Sequence, residues 1–195
     1  MFELLSKSFK EKTSISEEEF EFAKTLFKPK KLRKKQYLLQ DGDVCKYTAF
    51  VEKGLLRTFT VDGKGNDHVL QFSMEGWWIA DLYSFYTGEI SSYNIEALED
   101  CELLLITEPN YEILLNKIPI LERYFRILIQ NNLIATQRRL MDSMSVQAEE
   151  KYLKLIDNFP DCLQRIPQHM IASYLGITRE TLSRIRGNIA GKKTV

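Results

Sequence analysis

The 195-residue chain has only three cysteines, Cys45, Cys101 and Cys162, each more than fifty residues from the next. No Cys-x-x-Cys spacing occurs, which excludes a disulfide framework, a zinc ribbon and a clustered iron–sulfur site and fits a reducing cytoplasm. Histidine is scarcer still. His68 and His169 stand about a hundred residues apart and cannot supply a metal set on one domain, and the cysteines sit in no activating motif. No enzyme is therefore expected. Long apolar runs are missing too: Leu103–Ile106 and Trp77–Ala80 are typical of the longest, against the roughly 20 residues that span a bilayer. Met1 to Lys7 has neither a basic n-region nor an apolar h-region, so neither secretion nor membrane attachment is expected, and the cytoplasm is the expected location. A dominant sign of charge is the last absence. The 27 Lys+Arg balance 27 Asp+Glu, which taken whole speaks against a nucleic-acid partner.

What is present is 44% apolar and 28% charged residues, ordinary for a globular protein of one or two domains. Three zones of different period follow one another. Residues 1–25 predict a short helix, with capping boxes on offer at Ser14–Glu17 and Ser16–Glu19 and with Phe20, Phe22, Ala23 and Phe27 behind. From about Lys30 to Glu108, short apolar stretches alternate with glycine-bearing turns such as Asp41-Gly42-Asp43, Lys53-Gly54 and Asp62-Gly63-Lys64-Gly65-Asn66. Many short strands at near-regular spacing predict an all-β barrel or sandwich. From Tyr111 the period turns helical, and Pro119 is placed to open a long helix to about Asp142. Ile120, Ile127, Ile134 and Met141 recur every seven residues beside Leu121, Leu128 and Ala135. One face of that helix is expected to pack on its own barrel and a second to pair with another subunit. A further helix, Glu149 to Asn158, stops at Phe159-Pro160.

The strongest signal lies between Gln168 and Ile185, which has the organisation of a helix-turn-helix. Ile171, Leu175, Ile177, Leu182 and Ile185 supply the apolar lock, and Ala172 is small where the helices cross. Gly176 permits a left-handed turn after the first helix, while Thr178 caps the second and Glu180 complements its positive end. Arg179, Glu180, Ser183 and Arg184 remain exposed, and arginine can pair with guanine O6/N7 as Glu accepts from a cytosine amino group. Charge by region now agrees. Arg165, Arg179, Arg184, Arg186, Lys192 and Lys193 stand against Glu180 alone after Leu163, a local +5 that leaves −5 on the other 162 residues. A second basic run, Lys28 to Lys35, falls where the first strand should begin and predicts a solvated edge rather than a phosphate contact.

Barrel, long helix and helix-turn-helix in this order resemble the Crp–Fnr family of bacterial transcription regulators, over essentially the whole chain. The likeness is greatest to the short Bacteroidetes-type members, whose chains finish soon after the recognition helix. Gly42-Asp43, Phe50 to Gly54, Arg57, Gly76, Asp81-Leu82 and Glu96-Ala97-Leu98 match the effector-domain pattern, and Thr178 to Ile185 match the recognition helix of the catabolite activator. The resemblance implies an α+β chain in three parts. These are a cupin-like β-roll effector domain (1–118), a dimerisation helix and hinge (119–145) and an all-α helix-turn-helix domain (146–195). It implies a homodimer on a palindromic double-stranded operator, with successive major grooves about 34 Å apart, and RNA polymerase as a further partner. Arg179, Glu180 and Arg184 would touch base edges and Thr178 and Thr181 phosphates, with Ser183, Gln168 and His169 completing the DNA-binding set.

The match fails at the cyclic-nucleotide cassette. Family members that bind the nucleotide carry Gly-Glu-Leu and, about ten residues on, an arginine that neutralises the buried phosphate. Here Ala80-Asp81-Leu82 is followed by Ser91-Ser92-Tyr93, and no Arg or Lys lies between Glu75 and Lys117. A buried phosphate without a cation is costly, so cyclic AMP is not the expected effector and no cofactor is expected. The pocket expected for some other small molecule is Trp78, Asp81, Leu82, Ser91, Ser92, Tyr93 and Asn131. Aromatics in this stretch (Trp77, Trp78, Tyr83, Phe85, Tyr86, Tyr93) equally suit plain core. Two alternatives stay open: a cAMP- or cGMP-responsive regulator using the same helices, and a cupin-like ligand-binding module or enzyme.

Overall fold

A computed structural model describes residues 1–160 and 163–192. The chain divides into two compact units, Met1–Thr60 with Gln71–Asn131, and Val61–Leu70 with Asn132 onward. These limits differ from the expected 1–118, 119–145 and 146–195 in two ways. The cut falls inside the long helix, and the tip of a β-hairpin belongs with the C-terminal part.

The first unit opens with two helices where one was expected, α1 (Glu3–Lys12) and α2 (Glu17–Leu26). Of the two candidate capping boxes, the one at Ser16 forms. Its hydroxyl accepts the Glu19 amide at 3.1 Å and the Glu19 carboxylate accepts the Ser16 amide at 2.8 Å. The amides of Leu4 and Leu5 at the start of α1 donate to the Glu52 carboxylate at 3.2 and 2.8 Å, which anchors the helix N-terminus to a strand.

Eight strands follow: β1 (Lys28–Leu32), β2 (Tyr37–Leu39), β3 (Thr48–Lys53), β4 (Leu56–Val61), β5 (Asp67–Ser73), β6 (Trp78–Ile79), β7 (Asn94–Ala97) and β8 (Cys101–Ile106). They form two four-stranded sheets in the orders β1-β8-β3-β6 and β2-β7-β4-β5. This is the predicted β-roll. The Lys28–Lys35 run supplies β1 at a sheet edge, antiparallel to β8, with Lys28 to Lys31 exposed and Lys31 paired to Glu102 at 2.9 Å. Ala49, Phe50 and Val51 on β3 and Leu103, Leu104 and Ile106 on β8 are buried on successive positions, because those inner strands are covered on both faces.

A short helix that the pattern did not predict, α3 (Leu82–Thr87), sits between β6 and β7. After β8 come α4 (Glu108–Lys117) and α5 (Ile120–Ser145), the predicted long helix. Leu121, Tyr124 and Phe125 of α5 enter the core of the first unit, where Phe9, Trp78, Tyr111, Tyr124 and Phe125 meet edge to face at 4.8–5.0 Å. Tyr124 also joins two elements through its hydroxyl, 2.7 Å from Ser8 Oγ and accepting from Trp78 Nε1 at 3.1 Å. Beyond Asn131 no side chain of α5 reaches that core, which is why the division falls there.

The second unit contains the C-terminal half of α5, then α6 (Ala148–Asn158), α7 (Gln168–Leu175) and α8 (Arg179–Lys192). Among the described residues, Val69, Tyr152, Leu155, Ile166, Ile171, Ala172, Leu182 and Ile185 are its buried side chains. Lys154 holds α6 to the end of α5 through Asp142 at 3.0 Å. The second helix of the motif runs to Lys192.

Candidate nucleic-acid interface and effector site

Gly176 ends α7 at φ +67°, and its amide donates to Ser173 O at 3.1 Å while the Ile177 amide reaches Ala172 O at 3.0 Å. This left-handed stop turns the chain within two residues. Thr178 then caps α8: its hydroxyl accepts the Thr181 amide at 3.2 Å and lies 3.1 Å from the Thr181 hydroxyl. Ile171, Leu182 and Ile185 are buried as the apolar lock requires, Leu175 and Ile177 are half-buried, and Ala172 is buried at the crossing.

The first turns of α8 thus stand free. Arg179, Glu180, Ser183 and Arg184 are all exposed, Thr178 is exposed and Thr181 half-buried. Hydrogen bonds from its own backbone amide and from Thr178, with Arg179 beside it, hold the Glu180 carboxyl below the usual range. It therefore presents a charged acceptor at the positive end of the helix. Gln168 and His169 are exposed in the first turn of α7, where the Met170 and Ile171 amides donate to Pro167 O. The eight expected DNA-contacting positions therefore fall on two short helices, seven of them fully exposed.

In the effector domain, Asp81 is buried and caps α3. Its Oδ1 accepts the Ser84 amide at 3.3 Å and its Oδ2 accepts from Ser91 Oγ at 2.7 Å. Ser84 Oγ in turn accepts the Cys45 amide at 2.8 Å and donates to Glu89 O. Burial pushes the Cys45 thiol up, so it behaves as a small apolar group. The structure brings Asp81 and Ser91 together; the other expected pocket residues are scattered. Trp78 lies in the aromatic core, Leu82, Ser92 and Asn131 are exposed, and Tyr93 is half-buried. A cavity of about 270 Å³ does exist nearby, lined by Leu39, Val44, Cys45, Tyr47 and Ile95 with exposed Asp43 and Lys46, and by none of the expected seven. Of the local aromatics, Trp78 and Phe85 are core, whereas Trp77, Tyr83 and Tyr86 are exposed.

Both carboxylate oxygens of Asp81 are engaged within the protein, and the position opposite it offers the Ser91 hydroxyl rather than a cation. Sequence analysis missed a second feature. Arg57 on β4 and Glu96 on β7 form a buried ion pair (Nε to Oε2 2.7 Å), with the guanidinium 3.8 Å from the centre of the Phe59 ring. Both residues match the effector-domain pattern, but nothing local pairs positions 39 apart.

A β-roll, a long helix and an exposed helix-turn-helix follow one another in the order expected of a DNA-binding regulator. Comparison with known proteins agrees. Residues 29–117 match the sequence profile of the cyclic nucleotide-binding domain. The chain is 24% identical over 189 residues to regulatory protein HlyX of Actinobacillus pleuropneumoniae, covering 89% of this chain and 77% of that protein. It is 24% identical over 186 residues to the cyclic AMP receptor protein of Thermus thermophilus, covering 93% and 85%. FixK2 from Bradyrhizobium japonicum shares the fold at a TM-score of 0.75 and 16% identity, with 86% of each chain covered. Over most of its length the chain is thus similar to transcription regulators of the Crp–Fnr kind. Among the described residues no helix is long and apolar enough to cross a membrane.

Proposed function

We propose that the protein is a dimeric, sequence-specific DNA-binding transcription regulator that reads a palindromic operator with α8 and whose effector domain has lost cyclic-AMP binding. The observation that carries this is the exposure of Arg179, Glu180, Ser183 and Arg184 on the first turns of a helix set off by Gly176 and capped by Thr178. Arg179 and Arg184 read base edges, Glu180 accepts from cytosine, and Thr178, Thr181, Gln168 and His169 contact the backbone. RNA polymerase belongs to the same reading, as the partner on which a bound regulator acts. Selection from a random duplex library yields the operator. Arg179→Ala and Arg184→Ala then each cost about 1–3 kcal/mol and relax preference at one base position. Unchanged sequence preference in both variants at fixed salt sinks the assignment.

Dimerisation is supported by α5, which beyond Leu128 leaves Ile129, Leu133, Ile134, Leu140, Met141 and Met144 exposed, the last by 79%. Ile134 and Met141 continue the seven-residue seam, and a second copy of the helix is the surface that repeats it. Light scattering at micromolar concentration is expected to give twice the 22.8 kDa chain mass. A value at the single-chain mass removes the dimer.

A second reading, a cyclic-nucleotide-responsive regulator, is favoured by the match to the cyclic AMP receptor protein of Thermus thermophilus. The engagement of Asp81 by Ser91 favours the first. Thermal unfolding with and without cyclic AMP separates them, since ligand at 100 times its Kd stabilises by about 2.7 kcal/mol. No shift is expected.

A further inference from the structure

The strands β4 and β5 run from the effector unit into a hairpin whose tip, Val61–Leu70, is part of the DNA-binding unit. The tip is internally braced. Asp62 accepts the Lys64 and Asn66 amides at 2.8 and 2.9 Å and lies 3.0 Å from His68 Nε2, so the turn is a defined shape rather than a slack loop. What attaches it to the helices is a small set of polar side chains. Ser173, in the middle of α7, accepts the Val69 amide at 3.0 Å through its hydroxyl and donates the same hydroxyl to Asp67 O at 2.7 Å. Arg139 on α5 donates to Leu70 O from Nη1 while its guanidinium lies 4.9 Å from the centre of the Tyr174 ring, the next residue of α7.

None of these contacts is needed to build the helix-turn-helix. Its lock is Ile171, Ala172, Leu182 and Ile185, and its turn is Gly176 with Thr178. Ser173 and Tyr174 are instead spent on the hairpin, where three main-chain groups within four residues of β5 are met by side chains from two helices. A serine that bridges an amide and a carbonyl two residues apart fixes both the distance and the rotation of its own helix. Replacing it leaves two main-chain groups without that partner.

We propose that Ser173, with Arg139 and Tyr174, forms a clamp that seats α7 on the β4–β5 hairpin, so that the hairpin sets where the reading helix is presented. These are positioning residues for DNA recognition, and the inference rests on the DNA-binding role given above.

The test uses the full chain with Ser173→Ala, Ser173→Thr and Arg139→Gln. Binding is measured to the selected operator and to operators whose half-sites are moved apart or together by one or two base pairs. The clamp predicts that Ser173→Ala loses at least tenfold affinity at the best spacing and much less at the others, so the spacing profile flattens. Base preference within each half-site stays that of the parent, and Ser173→Thr, which keeps the hydroxyl, restores the profile. Arg139→Gln flattens it in the same direction. A parallel readout needs no DNA: the Val69 amide should exchange with solvent at least tenfold faster in Ser173→Ala, while Arg179→Ala leaves it unchanged. A parental spacing profile in Ser173→Ala, a uniform loss at every spacing, or unaltered Val69 exchange overturns the clamp. A parent chain that selects no sequence overturns the DNA-binding role instead, while Val69 exchange still reports whether the clamp exists.

Discussion

Glu96→Ala is expected to lower the unfolding free energy by about 3–5 kcal/mol. The reason is what stays behind. Arg57 is only 6% exposed, its guanidinium stacks on Phe59, and an arginine cannot shed its proton to escape the interior. Without the Glu96 carboxylate a buried cation loses a counter-charge 2.6–2.7 Å away. Glu96→Gln keeps an acceptor and should cost less. Joint replacement of Arg57 by Met and Glu96 by Leu should recover most of the loss, since a buried pair and a packed apolar pair are often near equal in energy. Urea denaturation of the parent and the three variants measures these differences. A Glu96→Ala cost below about 1 kcal/mol, or a double variant no better than Glu96→Ala, contradicts the account.

Gly54→Ala is expected to cost about 2–5 kcal/mol, from two sources that add. The residue sits at φ +101°, where an L side chain is strained by roughly 1–2 kcal/mol. A methyl group there would also lie 2.5 Å from Cys101 Sγ and 2.9 Å from Asp100 O and Cys101 Cα. Overpacking of this kind costs about 1–3 kcal/mol, and two of the three neighbours are main chain that cannot swing aside. The Gly54→Ala, Cys101→Ala pair removes only the sulfur, so it should regain part of the loss and no more. Gly65→Ala is the control: φ is +83° but nothing lies within 4 Å, so only the backbone term of about 1–2 kcal/mol remains. If Gly54→Ala proves as mild as Gly65→Ala in urea denaturation, the close approach to Cys101 carries no energy.

What could be read ahead of the structure were features whose signals are local. The Ser16–Glu19 capping box, the Gly176 stop, the Thr178 cap and the start of α5 after Pro119 each lie within one or two turns of chain. Hydrogen bonds between residues three or four apart make such patterns visible without any fold. The basic run at Lys28 was likewise legible as an edge strand. Features made by distant partners were not. Glu52 caps α1 from 47 residues away, Arg57 finds Glu96 across 39, and Val69 meets Ser173 across 104. α3 was missed for a different reason. Leu82-Tyr83-Ser84-Phe85-Tyr86-Thr87 is rich in β-favouring aromatics, and it turns helical because Asp81 caps it and Gly88 ends it at φ +73°. The pocket residues suffered most. A family pattern marks those positions, and in this chain Asp81 and Ser91 bond to each other instead.

The edge strand β1 also bears on how the chain is made. Its partner β8 follows it by roughly 70 residues, which a ribosome adding about 5–20 residues per second needs several seconds to supply. During that interval an ordinary apolar strand would be an open template for pairing with a neighbouring nascent chain. The composition Lys-Pro-Lys-Lys-Leu is a poor one, since Pro29 offers no amide and three ammonium groups repel a second copy of the same segment. The strand can wait for β8 with little risk of the wrong partner, and the sheet closes only when Leu103, Leu104 and Leu105 arrive to claim it.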